Sequence, residues 1–217
     1  MNNWKETTLG EVAEIVMGQS PKGDSYNLNG EGIPFYQGIT EFGDKYVTIK
    51  TYTNQPTKII DDNTILFSVR APVGKVNFVK HKACIGRGNA GLIMKNGEQE
   101  FLFYLLKQNE KAIQANTSGT VFESISGSEL RNYEITIPTT KAEQKAIAAV
   151  LSSFDDKIEL LRRQNQTLEA IAQTIFKEWF VHFKVNGEKL KACGEHAESI
   201  NPQTGLPKGW RIGKLGD

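Results

Sequence analysis

The sequence predicts an α+β domain followed by one long coiled-coil-forming helix. Three observations carry that expectation. Short segments rich in β-branched and aromatic residues, separated by turn residues, fill the region 33–94. Capped or amphipathic helical stretches flank them. From Thr140 to Asn186 there is no glycine or proline, and apolar residues recur at alternating steps of four and three.

In chain order, Thr8-Leu9-Gly10-Glu11 has capping-box spacing and predicts a short helix through Val12, Ile15 and Val16. It should end at Gly18-Gln19-Ser20-Pro21-Lys22-Gly23-Asp24, a loop by composition. Strands are expected at 34–37, 46–53, 64–68, 75–79 and 92–95. Residues 98–115 read as a helix with Phe101, Leu102, Leu105, Leu106 and Ile113 on its apolar side. A second capping box, Ser126-Gly127-Ser128-Glu129, opens a short turn before a strand at 133–137.

Thr140-Lys141-Ala142-Glu143 is a third capping box, and an unbroken helix from there to residue 183 would be roughly 60 Å long. Its seam is Ile147, Leu151, Phe154, Ile158, Leu161, Asn165, Leu168, Ala172, Ile175 and Trp179, with Asn165 at an a position. Flanking sites include Asp155, Lys157, Arg162 and Glu169, but also Ala148, Val150, Ile171 and Phe176, so the stripe is wider than two helices need. A buried core helix is the alternative, but globular helices average only about 11–12 residues. A polar a residue fixes register and in parallel dimers favours that orientation; near the helix midpoint it also permits an antiparallel pair.

The 217 residues are 39% hydrophobic and 24% charged, the composition of a soluble protein. No apolar run reaches the ~18–20 residues of a membrane span, and Met1-Asn2-Asn3-Trp4-Lys5 is unlike a signal peptide. Cys84 and Cys193 are expected to be free thiols in a reducing cytoplasm. The net charge of +1 favours no partner, but its distribution is informative. Between Asp62 and Glu98 no carboxylate occurs, while Arg70, Lys75, Lys80, Lys82, Arg87 and Lys95 all do. Such a stretch suits a polyanion-facing surface or a solvated sheet face.

Catalytic motifs are missing or incomplete. Gly86-Arg87-Gly88-Asn89-Ala90-Gly91 fits the dinucleotide-binding glycine spacing, but a short apolar segment and an Asn-Gly turn signal follow where a helix is required. A turn between strands is the better reading, with Arg87 and Asn89 facing a phosphate or base. Gly209-Trp210-Arg211-Ile212-Gly213-Lys214 is one residue short of a P-loop and is followed by Leu215. Asn201-Pro202-Gln203-Thr204 lacks the second proline and the aromatic of the amino-methyltransferase motif. His81 with Cys84 supplies two metal ligands where zinc usually has four, and His182 and His196 are isolated. No G-x-S-x-G occurs.

The pattern W-[KR]-x-x-x-L-G-[ED] appears at Trp4 to Glu11 and again at Trp210 to Asp217, after a Gly/Pro-rich polar stretch. A duplicated domain is expected, the chain stopping just as the second unit begins.

These segments, in their order, resemble the DNA-specificity (S) subunit of type I restriction-modification systems. The resemblance rests on Trp4, Leu9-Gly10-Glu11, Ser68-Val69-Arg70-Ala71-Pro72-Val73-Gly74-Lys75-Val76, Ile125 to Leu130, Ile135 to Pro138, and Glu143-Gln144 with Ile147-Ala148 and Leu151. It covers essentially the whole chain, and Pro138-Thr139-Thr140 departs from the paired prolines usual before Glu-Gln. The resemblance implies a target-recognition domain at 1–140 with a strongly twisted sheet and short helices. It further implies a spacer and dimerisation helix at 141–184, a linker at 185–209 and the start of a second repeat at 210–217.

Such subunits read split double-stranded DNA sites, dock modification (methyltransferase) subunits and, through the complex, a restriction subunit. They catalyse nothing, so S-adenosylmethionine, ATP and magnesium belong to the partners. The chain resembles half a subunit, which a homodimer through the Ile147 to Trp179 seam would complete. DNA contacts are then expected from Gln19, Lys22, Arg70, Lys75, Lys82, Arg87, Asn89, Thr117 and Ser118, the basic and polar residues of the carboxylate-free stretch and two polar loops. The rivals are a coiled-coil adaptor that reads no bases, and an enzyme whose site lacks a recognisable motif.

Overall fold

The computed structural model describes residues 3–117 and 124–181, together with 184–185, 188–189, 203–204 and 211. The chain divides into two compact units, Met1–Phe154 and Asp155–Asp217.

In the first unit β1 (Trp4–Thr8) leads into α1 (Leu9–Val12), and Glu11 accepts the Thr8 backbone N–H at 3.4 Å as the capping box requires. The helix ends earlier than its sequence spacing predicts. Ala13–Met17 is instead a strand, β2, in which Ile15 and Val16 serve the sheet rather than a helix face. The chain continues through β3 (Tyr26–Asn27), β4 (Ile33–Tyr36), β5 (Tyr52–Thr53), β6 (Ile59–Ile60), β7 (Ile65–Ser68), β8 (Val76–Phe78), β9 (Ala83–Ile85) and β10 (Asn89–Met94). Helices α2 (Gln99–Thr117) and α3 (Gly127–Arg131) precede β11 (Glu134–Pro138).

The strands of the first unit make two sheets and a ribbon. One sheet is antiparallel, in the order β2-β10-β7-β8; the other is mixed, in the order β3-β5-β4-β9-β6, with β4 and β9 parallel. β1 pairs antiparallel with β11, Thr8 opposite Glu134. Alternation along β7 explains the layering. Ile65 and Phe67 enter a core shared with α2, while Leu66 points the other way, into a second core with Tyr36, Ile60, Val79, Ala83 and Ile85. The antiparallel sheet is therefore covered on both faces, by α2 and by the second sheet. This is why β7 reads as a continuous apolar run. Helix α2 packs through Phe101, Leu102, Leu105, Leu106 and Ile113 as its periodicity predicts, and also through Phe103, stacked on Phe78 at 4.7 Å between ring centroids.

The strand expected over 46–53 is largely absent as a strand: Tyr46 and Val47 make only isolated bridges, and regular pairing is confined to Tyr52–Thr53. Phe78 takes up their backbone groups instead, accepting the Val47 N–H at 3.1 Å and donating to the Lys45 carbonyl at 2.8 Å.

Helix α4 (Lys141–Phe176) starts where the third capping box places it, the Glu143 N–H donating to Thr140 Oγ1 at 3.3 Å. Two buried residues, Gln144 and Ala148, anchor its first turns. Gln144 donates from Nε2 to the Pro138 carbonyl (2.8 Å) and accepts at Oε1 from Asn96 (2.8 Å). In the second unit the helix continues to Phe176 and ends in a π-helical turn, Lys177–Val181. No described helix is long and apolar enough to cross a membrane. The second copy of the W-[KR]-x-x-x-L-G-[ED] pattern, Cys193 and His182 with His196 lie outside the described residues, Arg211 excepted.

Candidate nucleic-acid interface

The glycine-rich turn supplies the centre of the site. Gly86 to Gly88 link β9 to β10, so the chain crosses there from one sheet to the other, and no helix follows. Three more segments converge on this turn through backbone hydrogen bonds. From the loop after β2, Gly18 N–H donates to the Asn89 carbonyl (3.0 Å) and Gln19 N–H to the Ile85 carbonyl (2.9 Å). From the end of β4, the Tyr36 carbonyl accepts Gly86 N–H (2.9 Å), and from the end of β7, Val69 N–H donates to the Gly88 carbonyl (2.9 Å). The glycines permit this close approach. A Cβ on Gly18 would collide with the Gly86 carbonyl, and one on Gly88 with the Gln37 carbonyl.

Side chains complete the lock. Ser20 Oγ accepts the Arg87 N–H (3.1 Å) and donates to Gln37 Oε1 (2.8 Å). Ser68 Oγ donates to the Pro72 carbonyl (2.7 Å) and accepts Lys75 N–H (2.9 Å), folding the Arg70 to Gly74 turn, in which Ala71-Pro72 is cis and Gly74 has φ 88°. The two hydroxyl bonds account for Ser68 and the positive φ for Gly74, and Arg70 is left exposed.

The expected DNA-contacting residues divide sharply. Gln19, Lys22, Arg70 and Arg87 are exposed on the converging segments. Arg70 and Arg87 line one depression of about 370 Å³ with Met17, Ser124, Ser126 and Glu129. Neither arginine forms an ion pair among the described residues. Glu129 is committed elsewhere. The Ser126 side chain and then its backbone N–H (2.7 Å) hold the Glu129 carboxyl below the usual carboxylate range, completing the cap of α3.

Asn89 corrects the expectation that it faces a ligand. It is fully buried, and its Nδ2 donates to the Tyr36 (3.2 Å) and Gly38 (3.1 Å) carbonyls, tying β10 to β4. Lys75 and Lys82 are exposed, but the stretch that lacks carboxylates in sequence meets carboxylates in space. Lys75 meets Glu110 of α2 at 2.7 Å, and Lys82 meets Asp61 at 3.8 Å. Lys80 lies 3.4 Å from the centre of the Tyr46 ring, and Lys95 donates to the Gly10 and Glu11 carbonyls. Thr117 closes α2; its side chain and Ser118 lie outside the described residues.

Gln37 is the exposed residue of the platform that sequence reasoning missed. Its only sequence signal is its place between a strand and Gly38. His81 and Cys84 are structural: the Tyr36 hydroxyl lies 2.7 Å from His81 Nε2, and Thr57 N–H donates to Cys84 Sγ at 3.5 Å. Among the described residues no three His, Cys, Asp or Glu side chains are grouped to hold a metal.

The seam residues behave differently from the platform. Ile147 is half-buried against the main core, whereas Leu151, Phe154, Ile158, Leu161, Asn165, Leu168, Ala172, Ile175 and Trp179 are exposed.

Comparison with known proteins agrees with this architecture. Residues 1–170 match the type I restriction modification DNA specificity domain. A Methanocaldococcus jannaschii protein provisionally named type I restriction enzyme MjaX specificity subunit is 44% identical over 178 residues, covering 80% of this chain and 41% of that one. The type I restriction enzyme MjaIX specificity subunit of the same organism is 32% identical over 228 residues, 99% of this chain and 51% of that one. The crystal structure of the HsdS subunit from Thermoanaerobacter tengcongensis superposes with a TM-score of 0.63 at 34% identity, covering 83% of this chain and 45% of that one. The chain thus spans about half the length of the relatives it matches. It belongs to the type I restriction-modification DNA specificity family.

Proposed function

We propose that this chain is a non-catalytic DNA-recognition module of a type I restriction-modification complex, reading one half of a split duplex site. The observation that carries the reading is the pair of exposed guanidinium groups, Arg70 and Arg87, which form no ion pair among the described residues and stand on a backbone node that glycines permit. Arginine is the side chain best shaped for bidentate contact with guanine or phosphate, and rigid placement lowers the entropy lost on binding. Gln19, Lys22 and Gln37 extend the same surface with amide and ammonium groups.

The exposed seam from Leu151 to Trp179 supports pairing with a second copy, which by two-fold symmetry turns one reader into two and makes the target palindromic. Modification subunits dock on the pair, add to its grip on DNA and carry the S-adenosylmethionine chemistry. ATP and magnesium serve the restriction subunit, and the assembly works in the cytoplasm. The near-zero net charge leaves the isolated chain a weak binder.

The test is selection from a pool of random-sequence duplexes by the chain with its modification subunits. The expected product is a split motif with two related half-sites. Arg70→Ala and Arg87→Ala should each weaken binding to the selected duplex on the order of 10-fold or more. Unchanged affinity in both variants would leave the helix as the working part and favour an adaptor.

A further inference from the structure

We propose that Gln37 is a base-reading residue of this surface, its amide aimed at an adenine in the major groove and held in that orientation by Ser20. The inference rests on the DNA reading proposed above and names one residue and one base within it.

The backbone that carries Gln37 is fixed on both sides. The Tyr36 and Gly38 carbonyls both accept from Asn89 Nδ2, at 3.2 and 3.1 Å, and the Tyr36 carbonyl also takes the Gly86 N–H at 2.9 Å. A fully buried asparagine thus commits its amide protons to the two residues that flank an exposed glutamine. The Gln37 side chain lies over Gly86, where a Cβ would collide with its Oε1. Backbone and side chain are therefore placed before DNA arrives, which lowers the entropy lost on binding.

Ser20 sets which end of the amide is which. The Arg87 N–H can only donate, so Ser20 Oγ receives it on a lone pair (3.1 Å) and sends its single proton on to Gln37 Oε1 (2.8 Å). With the amide turned over, the serine proton would face the amide's own protons. The lock leaves Oε1 with one lone pair, and Nε2 with both protons and no partner among the described residues. A phosphate offers acceptors alone and needs no such lock. A fixed donor beside a fixed acceptor is the pair of groups that adenine N7 and N6 require. Two hydrogen bonds separate this amide from the Arg87 backbone, and neighbouring base pairs stack ~3.4 Å apart. The two side chains accordingly reach the same or adjoining base pairs.

The test uses the chain with its modification subunits, at one salt concentration, on the duplex selected from the random pool and on its single-position variants. The wild type should prefer adenine at a position in each half-site where Gln37→Ala removes the preference. Discrimination there should fall from on the order of 10-fold to less than ~2-fold, while the other positions keep theirs. Gln37→Glu should move the preference at that position to cytosine, whose N4 amino group a carboxylate accepts. Ser20→Ala should weaken adenine discrimination at the same position by at least ~3-fold, because the amide is then free to turn over. Preferences retained elsewhere show that each variant is folded and in register. If the wild type selects no motif, the DNA reading itself fails. If a motif is selected but both Gln37 variants leave every position as it was, weaken all positions alike, or release a base other than adenine, this inference is overturned and the DNA reading stands. A Ser20→Ala profile identical to wild type removes Ser20 as the lock.

Discussion

The platform and the long helix answer the same physical demand in opposite ways. Around Gly86 to Gly88, four segments share backbone hydrogen bonds and leave polar side chains outside. Along α4, buried residues are confined to Gln144 and Ala148, and large apolar side chains remain in solvent from Val150 onward. The first region is complete within one chain. The second carries an apolar stripe that no described residue covers. On the proposed reading, recognition belongs to a self-sufficient fold and assembly to an unfinished one, and each is open to perturbation without the other.

The largest effect is expected at the node. Gly18→Ala adds one methyl group, aimed at the carbonyls of Gly86 and Asn89, which are backbone atoms that cannot swing aside. We expect a loss of at least ~2–3 kcal/mol in unfolding free energy, measured by denaturant titration. Gly23→Ala is the control, because nothing lies within 4 Å of its added carbon; it should be within about 0.5 kcal/mol of wild type. If the two variants behave alike, the node is not the rigid element described.

Next comes the helix. Leu161→Asp places a charge in the middle of the seam, at a side chain already 46% exposed in the single chain. The mass from light scattering should fall from dimer to monomer. Thermal unfolding of the Met1–Phe154 unit, followed by exchange protection of its core amides, should not move. Loss of that protection would show that the two regions are not separable.

Legibility in the sequence follows the same division. Helix α4 is readable because a helix repeats its environment every turn, and no glycine or proline interrupts it. Strands β7 and β10 were also broadly legible, since a sheet covered on both faces leaves apolar runs. The two-residue β6 and three-residue β9 were not, being too short to show a period. The platform was half legible. Arg70 and Arg87 stood out by charge, but sequence spacing cannot reveal that Glu110 and Asp61 arrive from other elements to meet Lys75 and Lys82. Nor did it reveal that Asn89 turns inward, because an asparagine that ties two strands looks in sequence like one that reads a base.

A smaller effect should appear with acid, in the fold of the recognition unit. Burial pushes the His81 imidazole below its ordinary value of 6.5. The unfolded chain therefore takes up a proton at His81 before the folded one does, and stability is lost as pH falls through that ordinary value. Between about pH 6.5 and pH 5, above the ordinary carboxylate range, wild type should lose midpoint denaturant concentration. His81→Asn should flatten that slope. An equal slope in the variant would remove His81 as its source.

The smallest effects are expected where the basic stretch is already neutralised, and they bear directly on the difference between charge in sequence and charge in space. Lys75 lies 2.7 Å from Glu110, whose side chain is mostly buried. A DNA phosphate would have to displace a carboxylate to use that lysine. Lys75→Ala should therefore change affinity for the selected duplex by less than ~2-fold, against the 10-fold or greater loss expected for Arg87→Ala. Lys82 should fall between them, because its partner Asp61 is 3.8 Å away and both side chains are largely exposed, so that pair is weak and screened. Glu110→Gln is the converse experiment. It frees the Lys75 ammonium and should raise affinity modestly while steepening its salt dependence. If Lys75→Ala instead costs as much as Arg87→Ala, the ion pair opens on binding, and the DNA-facing surface extends from the platform across the turn to α2.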